Sequence, residues 1–305
     1  MKLLVTGAWK FSTDQIEKIV ECGHSVIIMN DESGELPCPS EEIEGVICNS
    51  LFLYHEIKNF ISLRYIQLTS AGFDRIPLDY IEEHSIEIHN ARGVYSIPMA
   101  EYAVCGVLQL YKQSEFFLIN QKQHKWEKHR GLLELYGKTV GIVGCGSVGT
   151  ECAKRFAAFG CYVIGVDKYP REDTAYHKMI SVEMLEQVMP EIDVIVLTLP
   201  LDEASKHLIG QKELESMKDG SIIVNISRGA VIDEDVLISH LEQGRISAVL
   251  DVFEEEPLCE NSPLWKMDNV ILTPHNSFVG ENNADRLWNV ILGNLEKCQE
   301  IGIER

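Results

Sequence analysis

Short apolar runs alternate with helix-period stretches along the whole chain. LLVTG (3–7) is such a run, followed by an amphipathic stretch around Thr13–Cys22 and a second run, SVIIM (25–29). GVICN (45–49), RYIQLTS (64–70) and IEIHNA (86–91) continue the series, each bounded by polar or turn residues. Strands without polar alternation, separated by helices, imply parallel sheets covered on both faces. From Ser96 the pattern changes. Residues 97–123 predict one long helix, with Pro98 in the first turn, where a missing N–H costs nothing. A second strand series follows: TVGIVG (139–144), CYVIGVD (161–167), DVIVLTLP (193–200), SIIVNIS (221–227), SAVLDVF (247–253) and NVILTPH (269–275). A terminal helix is expected from about 281 to 299. No repeat of solenoid period and no low-complexity linker interrupts the chain, so the change of pattern near residues 92–98 reads as a hinge between packed domains.

The second series opens on a glycine fingerprint. Gly144-Cys145-Gly146-Ser147-Val148-Gly149 directly follows a strand and opens a helix over 148–159 that Gly160 ends. Alone, GxGxxG marks many turns; here strand, turn, helix, strand and acid fall in order. Gly144 permits the tight turn, Gly146 lets the backbone approach a pyrophosphate, and Gly149 lets helix and strand pack closely. The helix start offers free N–H groups and a positive dipole end to phosphates. Asp167 ends the next strand, where a carboxylate can accept hydrogen bonds from an adenosine ribose. A carboxylate about 4 Å from a 2′-phosphate would cost roughly 4 kcal/mol per pair of unit charges at an effective dielectric near 20. NAD is therefore expected over NADP, with the adjacent Lys168 as a partial offset.

Ligands on open α/β sheets sit at the carboxyl ends of strands, and three polar residues occupy such positions: Arg228, Glu256 and His275. Each has an ordinary alternative: a solvated loop charge for Arg228, an exposed acidic turn for Glu256 within Glu254–Glu256, and a packed residue for His275 after a proline. Together they form the set a 2-keto acid reductase needs. An arginine forks onto a carboxylate and a carbonyl, a histidine donates the proton, and a carboxylate beside an imidazole favours its protonated form.

The segments NISRGAVIDEDVL (225–237), LDVFEEEPL (250–258) and LTPHNSF (272–278) resemble the D-isomer-specific 2-hydroxyacid dehydrogenases. So do LYGKTVGIVGCGSVGTECAKRFAAFGCYVIGVD (135–167), LRYIQLTSAGFD (63–74) and NARGVYSIPMAEYAV (90–104), in family order over nearly the whole chain. The resemblance implies an α/β protein of two Rossmann-like domains. A doubly wound NAD-binding domain (97–282) would be inserted into a flavodoxin-like substrate domain (1–96 and 283–305). It implies Arg228 on the substrate carboxylate and carbonyl, His275 as acid/base paired with Glu256, and Asp251 on the nicotinamide carboxamide. The cofactor NAD(H) would be lined by Gly144, Gly146, Ser147, Val148, Gly149, Asp167, Leu199, Pro200, Ile226 and Ser227. Backbone N–H groups of Ser70, Ala71 and Gly72 would cradle the substrate carboxylate. It also implies a homodimer through the long helix after Ser96. Glu256, where the formate dehydrogenase branch has no acid, argues against that branch, and the chain is expected to lack the regulatory domain of larger phosphoglycerate dehydrogenases. The departures are a 228–256 spacing one residue shorter than the commonest form, HNSF after the proline with Phe278 at the pocket mouth, and NSLFLYHE (49–56), which matches no pocket pattern. They bear on which acid is reduced, a glyoxylate-, hydroxypyruvate- or phosphoglycerate-like one. The alternative within the same fold is an NAD(H)-sensing interaction protein of the corepressor type. A flavin- or NADP-dependent Rossmann enzyme of another kind fits the Arg–Glu–His order less well.

Charge and cysteine narrow the partners. The 305 residues, enough for about two domains, carry 27 Lys+Arg against 47 Asp+Glu, a net −20. Such a chain is a poor binder of nucleic acid or of an anionic membrane, so a small anionic substrate needs a local cation. No apolar run approaches the roughly 18 residues of a membrane helix, and MKLLVTGAWKF does not read as a signal peptide. The nine cysteines are scattered with no CxxC. That distribution suits reduced thiols in a cytoplasm and no metal site.

Overall fold

The computed structural model describes residues 1–303, with side chains through residue 298. In chain order the strands and helices are β1 (Lys2–Thr6), α1 (Thr13–Glu21), β2 (Ser25–Met29), β3 (Gly45–Cys48), α2 (Leu51–Tyr54), β4 (Tyr65–Leu68), α3 (Leu78–Glu83) and β5 (Glu87–His89). There follow α4 (Ser96–Tyr111), α5 (Ser114–Lys122), β6 (Thr139–Val143), α6 (Ser147–Ala158), β7 (Tyr162–Asp167), β8 (Lys178–Ser181) and α7 (Leu185–Val188). The chain continues through β9 (Val194–Leu197), α8 (Gln211–Ser216), β10 (Ile222–Asn225), α9 (Glu234–Glu242), β11 (Ser247–Leu250), β12 (Val270–Leu272) and α10 (Asn283–Ile303). Two compact units result: Met1–Tyr95 with Glu281–Arg305, and Ser96–Gly280.

The first unit holds a 5-stranded sheet ordered β2-β1-β3-β4-β5, all parallel, which is the flavodoxin-like order. Alternate residues of its strands feed two cores. Leu4, Val46 and Ile66 pack with Ile43 and Ile81 on one face. Leu3, Val5, Ile47 and Tyr65 pack on the other against Leu287, Ile291 and Leu295 of α10. The second unit holds a 7-stranded parallel sheet ordered β12-β11-β10-β9-β6-β7-β8, a doubly wound arrangement whose order reverses between β6 and β9. On one face Val140, Ile142, Val194, Val196 and Val224 pack under α4 and α6 through Ala100, Ala103, Val107, Cys152 and Phe156. On the other, Ile195, Leu197, Ile223 and Leu250 pack under α8 and α9 through Leu214, Leu237 and Leu241.

The long helix expected over 97–123 is two helices. Gln113 takes a left-handed φ of 50° between α4 and α5. The Tyr111 carbonyl, which a continuing helix would offer to residue 115, instead accepts the N–H of Leu133 at 3.0 Å. The Lys112 amine caps the Leu133 carbonyl at 2.7 Å. The strand series also gains β8, an edge strand pairing only with β7, of which only Ile180 is buried; one buried residue is too weak a periodicity to read.

Candidate active site

The glycine turn lies where the order of the 7-stranded sheet reverses. Gly144 has φ +93°, and a Cβ there would lie 2.7 Å from the Leu199 backbone nitrogen. At Gly149 a Cβ would fall 2.1 Å from the Gly144 carbonyl oxygen, and Thr198 Oγ1 donates to that same oxygen at 2.6 Å. A Cβ on Gly146, which caps α6, would meet nothing within 4 Å. Two glycines are thus used up by protein packing, while the third faces open space at a helix N-terminus. That is the arrangement a pyrophosphate requires, so these residues fit a dinucleotide. Burial pushes the Cys145 thiol, inside the turn, up to about 12, away from the thiolate form that reacts.

Asp167 ends β7, and its carboxylate accepts the N–H groups of Cys145 (2.8 Å) and Tyr169 (2.9 Å). It is thereby fixed beside the glycine turn. The Lys168 amine lies 5.7 Å from the centre of the Tyr169 ring.

Four loops follow β9, β10, β11 and β12, adjacent in the sheet. After β9, Leu199 abuts Gly144 and the Pro200 carbonyl accepts the Ser205 hydroxyl at 2.8 Å. After β10, Ile226 and Ser227 are buried. Asn225 organises this turn: its Oδ1 accepts the Ser227 N–H (3.1 Å) and hydroxyl (2.8 Å), and its amide donates to the Arg228 carbonyl at 3.0 Å. Arg228 Nη1 in turn donates to the Ser227 carbonyl at 2.8 Å. Gly229 lies against the next loop, for a Cβ there would sit 1.8 Å from the Phe253 carbonyl carbon.

Asp251, fully buried, pins the fourth loop. Its carboxylate accepts Thr273 Oγ1 at 2.6 Å and the N–H groups of Asn276 (2.7 Å) and Ser277 (2.9 Å). Its carbonyl accepts the His275 N–H at 2.7 Å. Tyr102 of α4 reaches Thr273 at 2.5 Å; burial raises its phenol pKa, against that hydrogen bond. Held this way, His275 adopts φ +50°, and its Nδ1 donates to Glu256 Oε2 at 2.8 Å. The other Glu256 oxygen accepts the Phe253 N–H at 3.1 Å. Phe278 stands edge-on to the imidazole, centroids 6.2 Å apart.

In the first unit, the Ser70–Gly72 loop follows β4. The Ser70 hydroxyl donates to the Gly72 carbonyl (3.1 Å), and Asn90 holds the Ala71 carbonyl at 2.6 Å. The segment 49–56 is tied by Glu32, whose carboxylate accepts Thr6 Oγ1 (2.6 Å) and the N–H groups of Asn49 (2.7 Å) and Ser50 (2.6 Å). Among the described residues no cluster of His, Cys, Asp and Glu could hold a metal ion, and no helix is long and apolar enough to cross a membrane.

Residues 104–277, more than half of the chain, match the family model described as D-isomer specific 2-hydroxyacid dehydrogenase, NAD binding domain. The chain belongs to the D-isomer-specific 2-hydroxyacid dehydrogenase family. Its relatives include a glyoxylate reductase of Korarchaeum cryptofilum, 33% identical over 92% of this chain and 80% of that protein. A D-3-phosphoglycerate dehydrogenase of Methanocaldococcus jannaschii is 35% identical over 77% of this chain, which spans only 45% of that longer protein. The crystal structure of a D-isomer specific 2-hydroxyacid dehydrogenase family protein from Aeromonas salmonicida superposes with a TM-score of 0.81 at 28% identity, covering 98% of this chain and 96% of that one. The family consists of oxidoreductases acting on the CH–OH group of donors with NAD(P), and the second unit carries the NAD(P)-binding domain.

In this family member the second unit brings Arg228, Glu256 and His275 onto neighbouring loops, as their positions at strand ends suggest. Three contributors carry weaker sequence signals. Asn225 is a polar residue closing an apolar strand, and Gly229 a glycine after a charged residue. Thr273, which couples Asp251 to Tyr102, has no signal beyond its place before Pro274.

Proposed function

We propose that the chain is an NAD-dependent D-2-hydroxyacid dehydrogenase that works as a reductase of small 2-keto acids of the glyoxylate, hydroxypyruvate or phosphoglycerate kind. The observation that carries this reading is the 2.8 Å pair of His275 Nδ1 and Glu256, on a loop neighbouring that of Arg228 in an NAD(P)-binding domain. NADH, when bound, supplies the hydride to C2 of the keto acid. The rest is done by the chain. The Arg228 guanidinium binds the carboxylate and polarises the carbonyl. His275 gives its Nε2 proton to the carbonyl oxygen, while Glu256 fixes the tautomer and stabilises the charged ring. The N–H groups of Ser70, Ala71 and Gly72 are assigned to the substrate carboxylate, which makes the first unit with α10 the substrate domain. Gly144, Gly146, Ser147, Val148, Gly149, Leu199, Pro200, Ile226, Ser227 and Asp251 are assigned to the cofactor.

Asp167 supports NAD over NADP, because its carboxylate is fixed by two N–H groups and a 2′-phosphate nearby would be repelled. A homodimer formed through α4 and α5 is supported by exposed Phe117, Leu118 and Ile119 and by the groove of about 500 Å³ that Val104, Leu108 and Phe159 help to line. Nine free thiols support a reducing, cytoplasmic setting.

The test is oxidation of NADH, and separately of NADPH, with glyoxylate, hydroxypyruvate, pyruvate, oxaloacetate and bulkier keto acids. Turnover with at least one small keto acid, and a higher kcat/KM with NADH, are expected. No turnover with any acid would remove the enzymatic reading and favour an NAD(H)-sensing interaction protein; a preference for NADPH would remove the role given to Asp167.

A further inference from the structure

A second His–Glu pair shares the Glu254–Glu256 turn with the first. His207 Nε2 donates to Glu254 Oε1 at 2.7 Å. Glu254 also exchanges hydrogen bonds with the start of α9. Its N–H donates to Glu234 Oε2 at 3.1 Å, and its Oε1 accepts the Glu234 N–H at 3.4 Å. His207 is itself anchored, with φ +51° and its N–H on the Ala230 carbonyl at 2.8 Å. Below it, Ile209 bridges Ile232. The loops after β9, β10 and β11 therefore meet at one carboxylate, that of Glu254.

The Glu254–Glu256 turn is held at both ends. Glu254 faces His207 and Glu234, and Glu256 faces His275. Between the two, Gly229 sits against Phe253 and Glu254 with no room for a side chain. The acids of this region repel one another. The Glu234 carboxyl is raised above its ordinary value, first by burial and then by Glu254, Asp235 and Glu255, against its hydrogen bond from the Glu254 N–H. A turn carrying that much like charge needs a donor to keep it closed, and His207 is the ring that reaches it.

We infer that His207 and Glu254 are positioning residues: their pair closes the 253–256 turn so that Glu256 meets Nδ1 of His275. This rests on the reductase reading above, in which the His275–Glu256 pair acts on the proton. Neither His207 nor Glu254 is assigned to substrate or cofactor, so their effect must pass through Glu256.

A double-mutant cycle tests this. With NADH and whichever keto acid turns over, E254A and H207N should lower kcat about five- to twentyfold and leave KM for NADH unchanged. H207N keeps a residue that tolerates the left-handed backbone. The pH profile of kcat/KM should move toward that of E256Q, and E254Q, which keeps an acceptor for His207, should recover most of the rate. In an E256Q background, E254A should change kcat by less than twofold. An E254A loss that multiplies in full onto E256Q, or variants with wild-type kcat and pH profile, would overturn the inference. Should E254A fail to fold, H207N and H207N/E256Q complete the same cycle. If the wild type reduces no keto acid, the reductase reading fails and the ring 15N shifts of His275 decide the latch alone. The wild type should show the Nδ1–H tautomer and E254A or H207N a mixture; unchanged shifts would overturn it.

Discussion

The Arg228 guanidinium is a planar fork of N–H donors; Asn225 holds the Arg228 carbonyl, and Nη1 donates to the Ser227 carbonyl. Hydrogen bonds to a charged group are worth about 1.5–3 kcal/mol each, so replacing the fork with a methyl group removes enough binding to be unmistakable. R228A should lower kcat/KM for the keto acid about 10²-fold or more while leaving NADH binding within twofold. Steady-state kinetics with a fluorescence titration of NADH checks both, and an unchanged kcat/KM would take Arg228 out of the site. At this scale the sequence is legible where a residue breaks its surroundings: an acid closing an apolar strand at Asp167, or a cation, an acid and a histidine just past strand ends. It is illegible where the partner is backbone. The three donors to the Asp251 carboxylate include two main-chain N–H groups, which leave no mark in the residue types. The burial of Asp251 behind its own loop could not be read from LDVF.

At the scale of elements, the site is the meeting of the four loops after β9 to β12, and its tightest point is Gly229 on Phe253. A Cβ at 1.8 Å from backbone must push one loop from the other. Overpacking of this kind costs about 1–3 kcal/mol, a drop of roughly 2–12 °C in Tm for a domain of this size. G229A should therefore unfold earlier in a thermal scan and lose kcat out of proportion, since the displaced loops carry Arg228 and Glu256. A variant with wild-type Tm and kcat would show that the approach is looser than described. Most strands are legible because parallel strands covered on both faces read as unbroken apolar runs, and the fingerprint orders β6, α6 and β7. The break between α4 and α5 is not, because it depends on Leu133 claiming the Tyr111 carbonyl from far along the chain. The edge strand β8 escapes for want of buried residues.

For the whole molecule, the net charge of −20 opposes an anionic substrate at long range, whereas a local cation acts at short range. Overall charge governs solubility and slows anion encounter, and it is screened beyond about 8 Å at physiological salt. In the proposed reading a substrate carboxylate is met by the Arg228 guanidinium, and a pyrophosphate by the open N-terminus of α6 at Gly146. Both positive ends are built into one sheet of the second unit, whose strand order fixes where they lie. What remains is the chemistry assigned to the His275–Glu256 pair. The most direct measurement is kcat of H275Q with saturating NADH and keto acid, beside the wild type. Removal of the proton donor should lower kcat by about 10²–10⁴-fold with NADH affinity intact; a kcat near that of the wild type would contradict the account.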